Sequence, residues 1–206
     1  MTTGHVHISR GISKLGESIP SVNLPPLLTC RLDAPCTKKC YARKGRFSFG
    51  RIKDLLQRNF DIWKEDPEGF ERDVMIAAYT ARFFRFHSSG DIPDGDYLDM
   101  MIRVAKRCEN TSFLCFTKKY EMVNECLNWH GPDVIPPNLH IVFSAWGDFV
   151  PENPYHFPVA YIAFKKQENK IPADAYPCSG FCGDCVQTGH SCWDLKPGES
   201  VYFNEH

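Results

Sequence analysis

Seven cysteines of this chain sit where thiols can do chemistry rather than pack. Three are spaced Cys30-x5-Cys36-x3-Cys40, and four are spaced Cys178-x3-Cys182-x2-Cys185-x6-Cys192. Both groups lie among Gly, Pro and Lys, in the irregular kind of segment that presents ligands. Three thiolates can hold three irons of a 4Fe–4S cluster and leave the fourth iron open, whereas a structural zinc site takes four closed ligands. In the zinc alternative at the first set, His5 or His7 supplies the fourth ligand. The second set can close either a complete 4Fe–4S cluster or a tetrahedral zinc site, and spacing alone does not separate iron from zinc. Gly180, Gly183 and Gly189 let its backbone wrap closely around a metal core. His190 lies inside it and can replace one thiolate. Scattered thiols in a loop are the bland alternative, but unpaired exposed cysteine is a chemical liability.

The other three of the ten cysteines, Cys108, Cys115 and Cys126, fall in apolar periodic segments and are expected in the core, as small hydrophobes. The opening stretch "MTTGHVHISRG" has no apolar leader, which points to a reducing cytoplasm in which these thiols stay unpaired. At 206 residues the chain has room for one domain. Its parts are an irregular segment 1–50 with the first cysteine set, an α/β core 51–166, and a cysteine-rich segment 167–206. A hydrophobic content of 43% and a charged content of 24% are those of a soluble globular protein. A net charge of −1 excludes a global field for nucleic acid or anionic lipid, and no apolar run reaches membrane-spanning length.

The elements that must position these residues follow from periodicity. Ile52, Leu55, Leu56, Phe60 and Trp63 recur at helical spacing. A second helix starts at Asp66 as N-cap, with Pro67 at its first position. Then the period changes. Phe83, Phe84 and Phe86 mark a strand, residues 96–108 a helix, and 111–119 a strand. Residues 120–129 form a short helix, and 138–148 and 159–166 two more strands. Four strands alternating with helices call for parallel pairing, as an open parallel sheet or a partial (β/α) barrel. The cysteine-rich ends are expected to wrap the C-terminal edge of its strands. Ligands of such sheets sit at that edge. The residues there are His87, Ser88, Ser89, Gly90 and Asp91; Thr117 and Lys118; Ser144, Trp146, Gly147 and Asp148; and Lys165. All turns are polar, but several strand exits of the same small, polar kind favour a pocket.

His87 is the candidate for proton transfer, with a hydrogen-bonded structural histidine as its plain alternative. The run Lys38, Lys39, Arg43, Lys44, Arg46, Arg51 and Lys53 flanks the first cysteine set. It reads as a phosphate or nucleic-acid contact over residues 38–53, with Phe47 and Phe49 placed to stack on a base. A solvated loop and helix face is the simpler reading.

The stretches "APCTKKCYARKGRF", "FFRFHSSGDIPDGDYLDMMIRVAK", "FLCFTKKYEMV" and "CGDCVQTGHSCW" together resemble the phage "gene product 88-like" family. They are also similar to a phage group with a Cys-Tyr-Ala run and "S-D" and "T-K-R" strand ends, classed with radical S-adenosylmethionine (SAM)-like proteins. The resemblance covers most of residues 25–195 and implies a reduced (β/α) barrel with a 4Fe–4S cluster. It also implies the cytoplasm of an infected host cell. Cys178-x3-Cys182-x2-Cys185 by itself has the radical SAM spacing, so it competes for the open iron. Counting ligands favours Cys30, Cys36 and Cys40 for that role, because four thiols then remain for the other site.

What the resemblance implies about roles follows from side-chain chemistry. Ser88, Ser89 and Asp91, with Gly90 in the turn, would accept hydrogen bonds from the ammonium of SAM. Lys118 would pair with its carboxylate, and Tyr41 or Trp146 would stack on its adenine. A redox enzyme acting on a nucleotide, nucleic acid or peptide is one reading. The other is a non-catalytic binding module, stapled by zinc or a cluster, that contacts nucleic acid or a host protein.

Overall fold

The computed structural model describes residues 4–165, 170–189 and 191–205. Among these residues eight strands form one open sheet: β1 (Ile8–Ser9), β2 (Ser21–Val22), β3 (Phe83–Phe86), β4 (Ser112–Thr117), β5 (Leu139–Ser144), β6 (Val159–Ala163), β7 (Tyr176–Pro177) and β8 (Ser200–Asn204). Their order across the sheet is β1-β2-β3-β4-β5-β6-β8-β7. Only β1 pairs antiparallel; β2, β3, β4, β5, β6 and β8 run parallel and follow chain order. The sheet is not closed.

This array is longer than the four strands legible in the sequence. β2 and β8 extend it to six parallel strands in chain order. β2 has only two residues, set among prolines, and carries no visible period. β8 did leave a signal. A Pro197-Gly198 turn precedes Ser200–Asn204, whose Val201, Tyr202 and Phe203 are strand formers.

Alternation sorts the strand residues onto two buried faces. Phe84, Phe86, Phe113, Cys115, Leu139, Ile141 and Phe143 join one core with α1 (Gly50–Glu65), α2 (Pro67–Tyr79), α3 (Gly95–Arg107) and α4 (Tyr120–His130). Each such side chain contributes about 1.5–3 kcal/mol by leaving water. Phe83, Leu114, Phe116, Val142, Ala160, Val201 and Phe203 face the other way. No long helix among the described residues covers that second face. Leu15 and Ile19 pack on it from the N-terminal segment; α5 (Cys182–Thr188) and Trp193 pack on it from the C-terminal segment. The Trp193 indole donates to the Ser112 carbonyl at 3.1 Å and lies edge-on to Phe83.

Helix starts follow the expected capping chemistry. Asp66 accepts from the Gly69 amide at 2.9 Å with Pro67 at the first turn, and Asp94 accepts from the Tyr97 amide at 3.0 Å. No helix among the described residues is long and apolar enough to cross a membrane. Cys108 and Cys115 are buried and Cys126 packs half-buried against the helix-side core, as expected of small hydrophobes.

Candidate functional site

The chain leaves β2 at the C-terminal edge of the sheet and crosses that edge before entering α1. The first cysteine set lies on this crossing. Three short 3-10 turns, Pro35–Lys39, Tyr41–Arg43 and Gly45–Ser48, carry it. Cys30, Cys36 and Cys40 share one electrostatic neighbourhood with Asp91 and Lys118. Burial pushes the Cys30 thiol up to about 11, and Asp91, Cys40 and Cys36 push the same way. Burial also raises Cys36, while the Lys118 ammonium opposes it. A metal entering this set must therefore displace protons.

Arg31 fixes the crossing. Its guanidinium donates to Asp33 at 2.8 Å and to Glu121 on α4 at 2.6 Å. It also lies 5.1 Å from the Phe149 ring centroid and 5.9 Å from that of Tyr120. One residue beyond Cys30, it pins the cysteine loop to the exits of β4 and β5.

The turn after β3 is the floor of this edge, and most of its polar groups are internally satisfied. Asn23, buried just after β2, organises it. Its carbonyl oxygen accepts from the Ser88 amide at 2.6 Å and the Ser89 amide at 3.2 Å. Its NH2 donates to the hydroxyls of Ser21 and Ser9 at 3.0 and 3.2 Å. Nothing in the sequence singled Asn23 out, because an asparagine after a two-residue strand has no local signature. Asn23→Ala leaves the buried Ser89 amide and the half-buried Ser88 amide without an acceptor. It is expected to lower unfolding free energy by about 2–4 kcal/mol, read from urea denaturation.

The candidate residues of that turn take distinct places. Ser89 is buried, and its hydroxyl donates to the Leu24 carbonyl at 3.0 Å. Gly90 has φ +82, and an added Cβ would lie 2.8 Å from Leu24 and Thr29 atoms, so only glycine fits. Asp91 is buried. It accepts from the Thr117 hydroxyl at 2.7 Å, the Lys118 amide at 2.9 Å and the Ile92 amide at 2.8 Å. His87, at φ +60, turns into the helix-side core, where its Nε2 meets the Tyr97 hydroxyl at 3.1 Å. Burial, reinforced by Arg85, depresses its pKa to about 3, so the ring stays neutral.

Ser88, Lys118, Tyr41 and Trp146 are the candidates that remain accessible. The Tyr41 hydroxyl donates to the Ser88 carbonyl, which leaves its ring exposed beside Phe47. The Ser88 hydroxyl and the Lys118 ammonium make no hydrogen bond or ion pair among the described residues. Trp146, half-buried at the exit of β5, packs edge-on to Phe164.

The second cysteine set lies elsewhere. Cys178 follows β7 at the strand C-terminal edge, its amide bonded to the Tyr202 carbonyl at 2.9 Å. From there the segment crosses the second face of the sheet, where Cys178, Cys182 and Cys192 join the core of Leu114, Val142 and Val201. So the first set and the start of the second line the edge, while the rest of the second set covers a sheet face. The physical reason is that this face is apolar and no long helix among the described residues covers it. Cys185 bonds to the Ser179 hydroxyl at 2.8 Å. His190 lies outside the described residues. Burial raises Cys182 and pushes Cys192 up to about 12, while Arg85 and Lys14 pull both down.

Arg85 is informative. It stands on the second face, its guanidinium 4.2 Å from the Phe116 ring centroid and its Nε bonded to the Phe86 carbonyl at 3.2 Å. Lys14 likewise sits 4.2 Å from the Phe203 ring centroid. No carboxylate pairs with either cation among the described residues. Both cations act on Cys182 and Cys192, where positive charge favours the thiolate form. The thiols of both sets are grouped but not converged: among the described residues, no three His, Cys, Asp or Glu side chains form a metal-gripping cluster. The donor sets match a thiolate-held metal or cluster in residue type and number, while Asp91 beside the first set opposes thiolate formation there.

The chain belongs to the Gene product 88 family, a family of phage gene products, with the match running over residues 4–191. No curated protein and no solved structure matches it.

Proposed function

We propose that this member of the Gene product 88 family is an iron–sulfur protein resembling a minimal radical SAM enzyme, working in the cytoplasm of the infected host cell. Cys30, Cys36 and Cys40 would hold a cluster at the sheet edge. Cys178, Cys182, Cys185 and Cys192 would hold a second cluster, or zinc, against the second face. The observation that carries this reading is topological. Six parallel strands follow one another in chain order, and the three-thiol loop leaves the first of them at the C-terminal edge.

When bound, the open cluster supplies the electron for reductive cleavage of SAM. The residues of this chain bind and orient. The Lys118 ammonium, unpaired and beside Cys36, is available to a carboxylate. The Ser88 hydroxyl is available to an ammonium. The exposed Tyr41 ring, anchored through its hydroxyl, offers a flat surface to adenine. Asp91 and Ser89 act by holding the turn that carries Ser88, and Gly90 lets it lie against Leu24 and Thr29.

The test is anaerobic purification of the full chain, with iron, acid-labile sulfide and zinc measured per chain. Incubation with SAM and a reductant follows. Brown protein that yields 5′-deoxyadenosine is expected, with Cys30→Ala, Cys36→Ala and Cys40→Ala abolishing that product. Colourless protein with stoichiometric zinc would replace this reading by the stapled binding module.

A further inference from the structure

Residues 34–53 contain seven Lys or Arg and no Asp or Glu, although the whole chain carries 24 basic and 25 acidic residues. The structure adds where these cations go. Lys39 pairs with Glu205 at 2.9 Å. Lys38, Arg43, Lys44, Arg46, Arg51 and Lys53 are exposed and make no ion pair among the described residues. Arg51 and Lys53 stand in the first turn of α1, where the helix dipole disfavours positive charge, so their placement there does not serve the helix.

Exposed aromatic surface lies in the same short stretch. Tyr41 is 55% exposed and Phe49 62% exposed, unusual values for rings of this size. The segment is also held in place. Tyr41 is bonded to Ser88, Lys39 to Glu205, and Ala42 is buried. A fixed surface that interleaves uncompensated cations with outward-facing rings matches a ligand of repeating phosphates and flat, unstacked bases. A duplex buries its base faces and offers those rings nothing. An acidic peptide offers charge without flat partners.

We propose that the turns 38–53 form a binding surface for single-stranded nucleic acid, which they deliver to the sheet edge beside Cys30, Cys36 and Cys40. Binding stands on this surface alone; its role as the substrate site rests on the reading of that edge given above. The phosphates engage Arg43, Lys44 and Arg46, while Phe49 stacks on a base.

Fluorescence anisotropy with a labelled single-stranded oligonucleotide of mixed sequence tests this on the full chain across a salt series. For single strands the log–log salt slope is about −0.7 for each phosphate contacted. The variant Arg43→Ala/Lys44→Ala/Arg46→Ala is expected to bind at least tenfold more weakly, with a slope shallower by about 2. Phe49→Ala is expected to weaken binding about fivefold or more and leave the slope unchanged. A charge-matched variant elsewhere, Arg10→Ala/Lys106→Ala/Lys196→Ala, is expected to bind as the parent does. Equal loss in both triple variants, equal affinity for the duplex, or equal competition by polyglutamate would each overturn the proposal. So would absence of binding at about 50 mM salt. The measurement does not depend on metal content, so failure here and failure of the iron analysis are separate results.

Discussion

Asp91→Ala is expected to destabilise the folded chain by about 3–5 kcal/mol, the largest effect of any single change in the edge. The carboxylate is buried and gathers three donors: the Thr117 hydroxyl, the Lys118 amide and the Ile92 amide. Its own amide donates to the Thr29 hydroxyl at 3.1 Å. It therefore ties the exit of β3 to the exit of β4 and to the loop that begins the cysteine crossing. Removing it leaves buried donors unpaired, each worth about 1–3 kcal/mol, and replaces no packing in return. Asp91→Asn keeps one acceptor oxygen but turns an NH2 toward a donor, so it is expected to recover only part of the loss. Urea denaturation followed by tryptophan fluorescence measures both. A loss below about 1 kcal/mol for alanine would show that these bonds are not made together in solution.

Acid is expected to unfold this protein partly through His87. In the folded chain burial depresses its pKa to about 3; in the unfolded chain it has the ordinary histidine value near 6.5. Between these limits the unfolded chain binds a proton that the folded chain refuses. Stability is therefore complete above about pH 6.5 and falls as pH falls, by about 1.4 kcal/mol per pH unit from this group. The groups that face the ring are the Tyr97 hydroxyl at 3.1 Å, the Cys115 sulfur at 3.9 Å and Arg85, whose charge acts in the same direction as burial. His87→Asn removes the titration while keeping a residue that tolerates a positive φ. Its unfolding free energy is expected to vary less steeply with pH between about 6 and 4, by close to one proton. Parent and variant curves of equal slope would mean that the ring reaches solvent in the folded state.

These two residues also mark the limit of reading chemistry from strand ends. His87 and Asp91 stand where functional groups of parallel sheets stand, which is why the strand end offers His87 for proton transfer and the resemblance gives Asp91 the SAM ammonium. One turns inward on a left-handed backbone, and the other spends its oxygens on neighbouring loops. A side chain's direction at a turn depends on backbone angles and partners that spacing does not encode. Ser88 and Lys118, read from strand exits, and Tyr41, read from the first cysteine set, stay accessible.

The sequence by itself determined what local periodicity and composition control. It determined helices α1 to α4, strands β3 to β6, the Asp66 cap, the buried Cys108 and Cys115, and the spacing of the two thiol groups. Each depends on residues within a few positions of one another. Tertiary structure alone decided what depends on contacts between distant segments. It recruited β2 and β8 into the parallel array, although two residues of β2 have no period to read. It spread the second thiol set over an apolar sheet face, beside Arg85 and Lys14, because that face had to be covered and the termini were the chain left to cover it. It made Asn23 and Arg31 the ties that hold the edge, since a hydrogen bond across 65 residues, or an ion pair across 90, leaves no trace in local sequence.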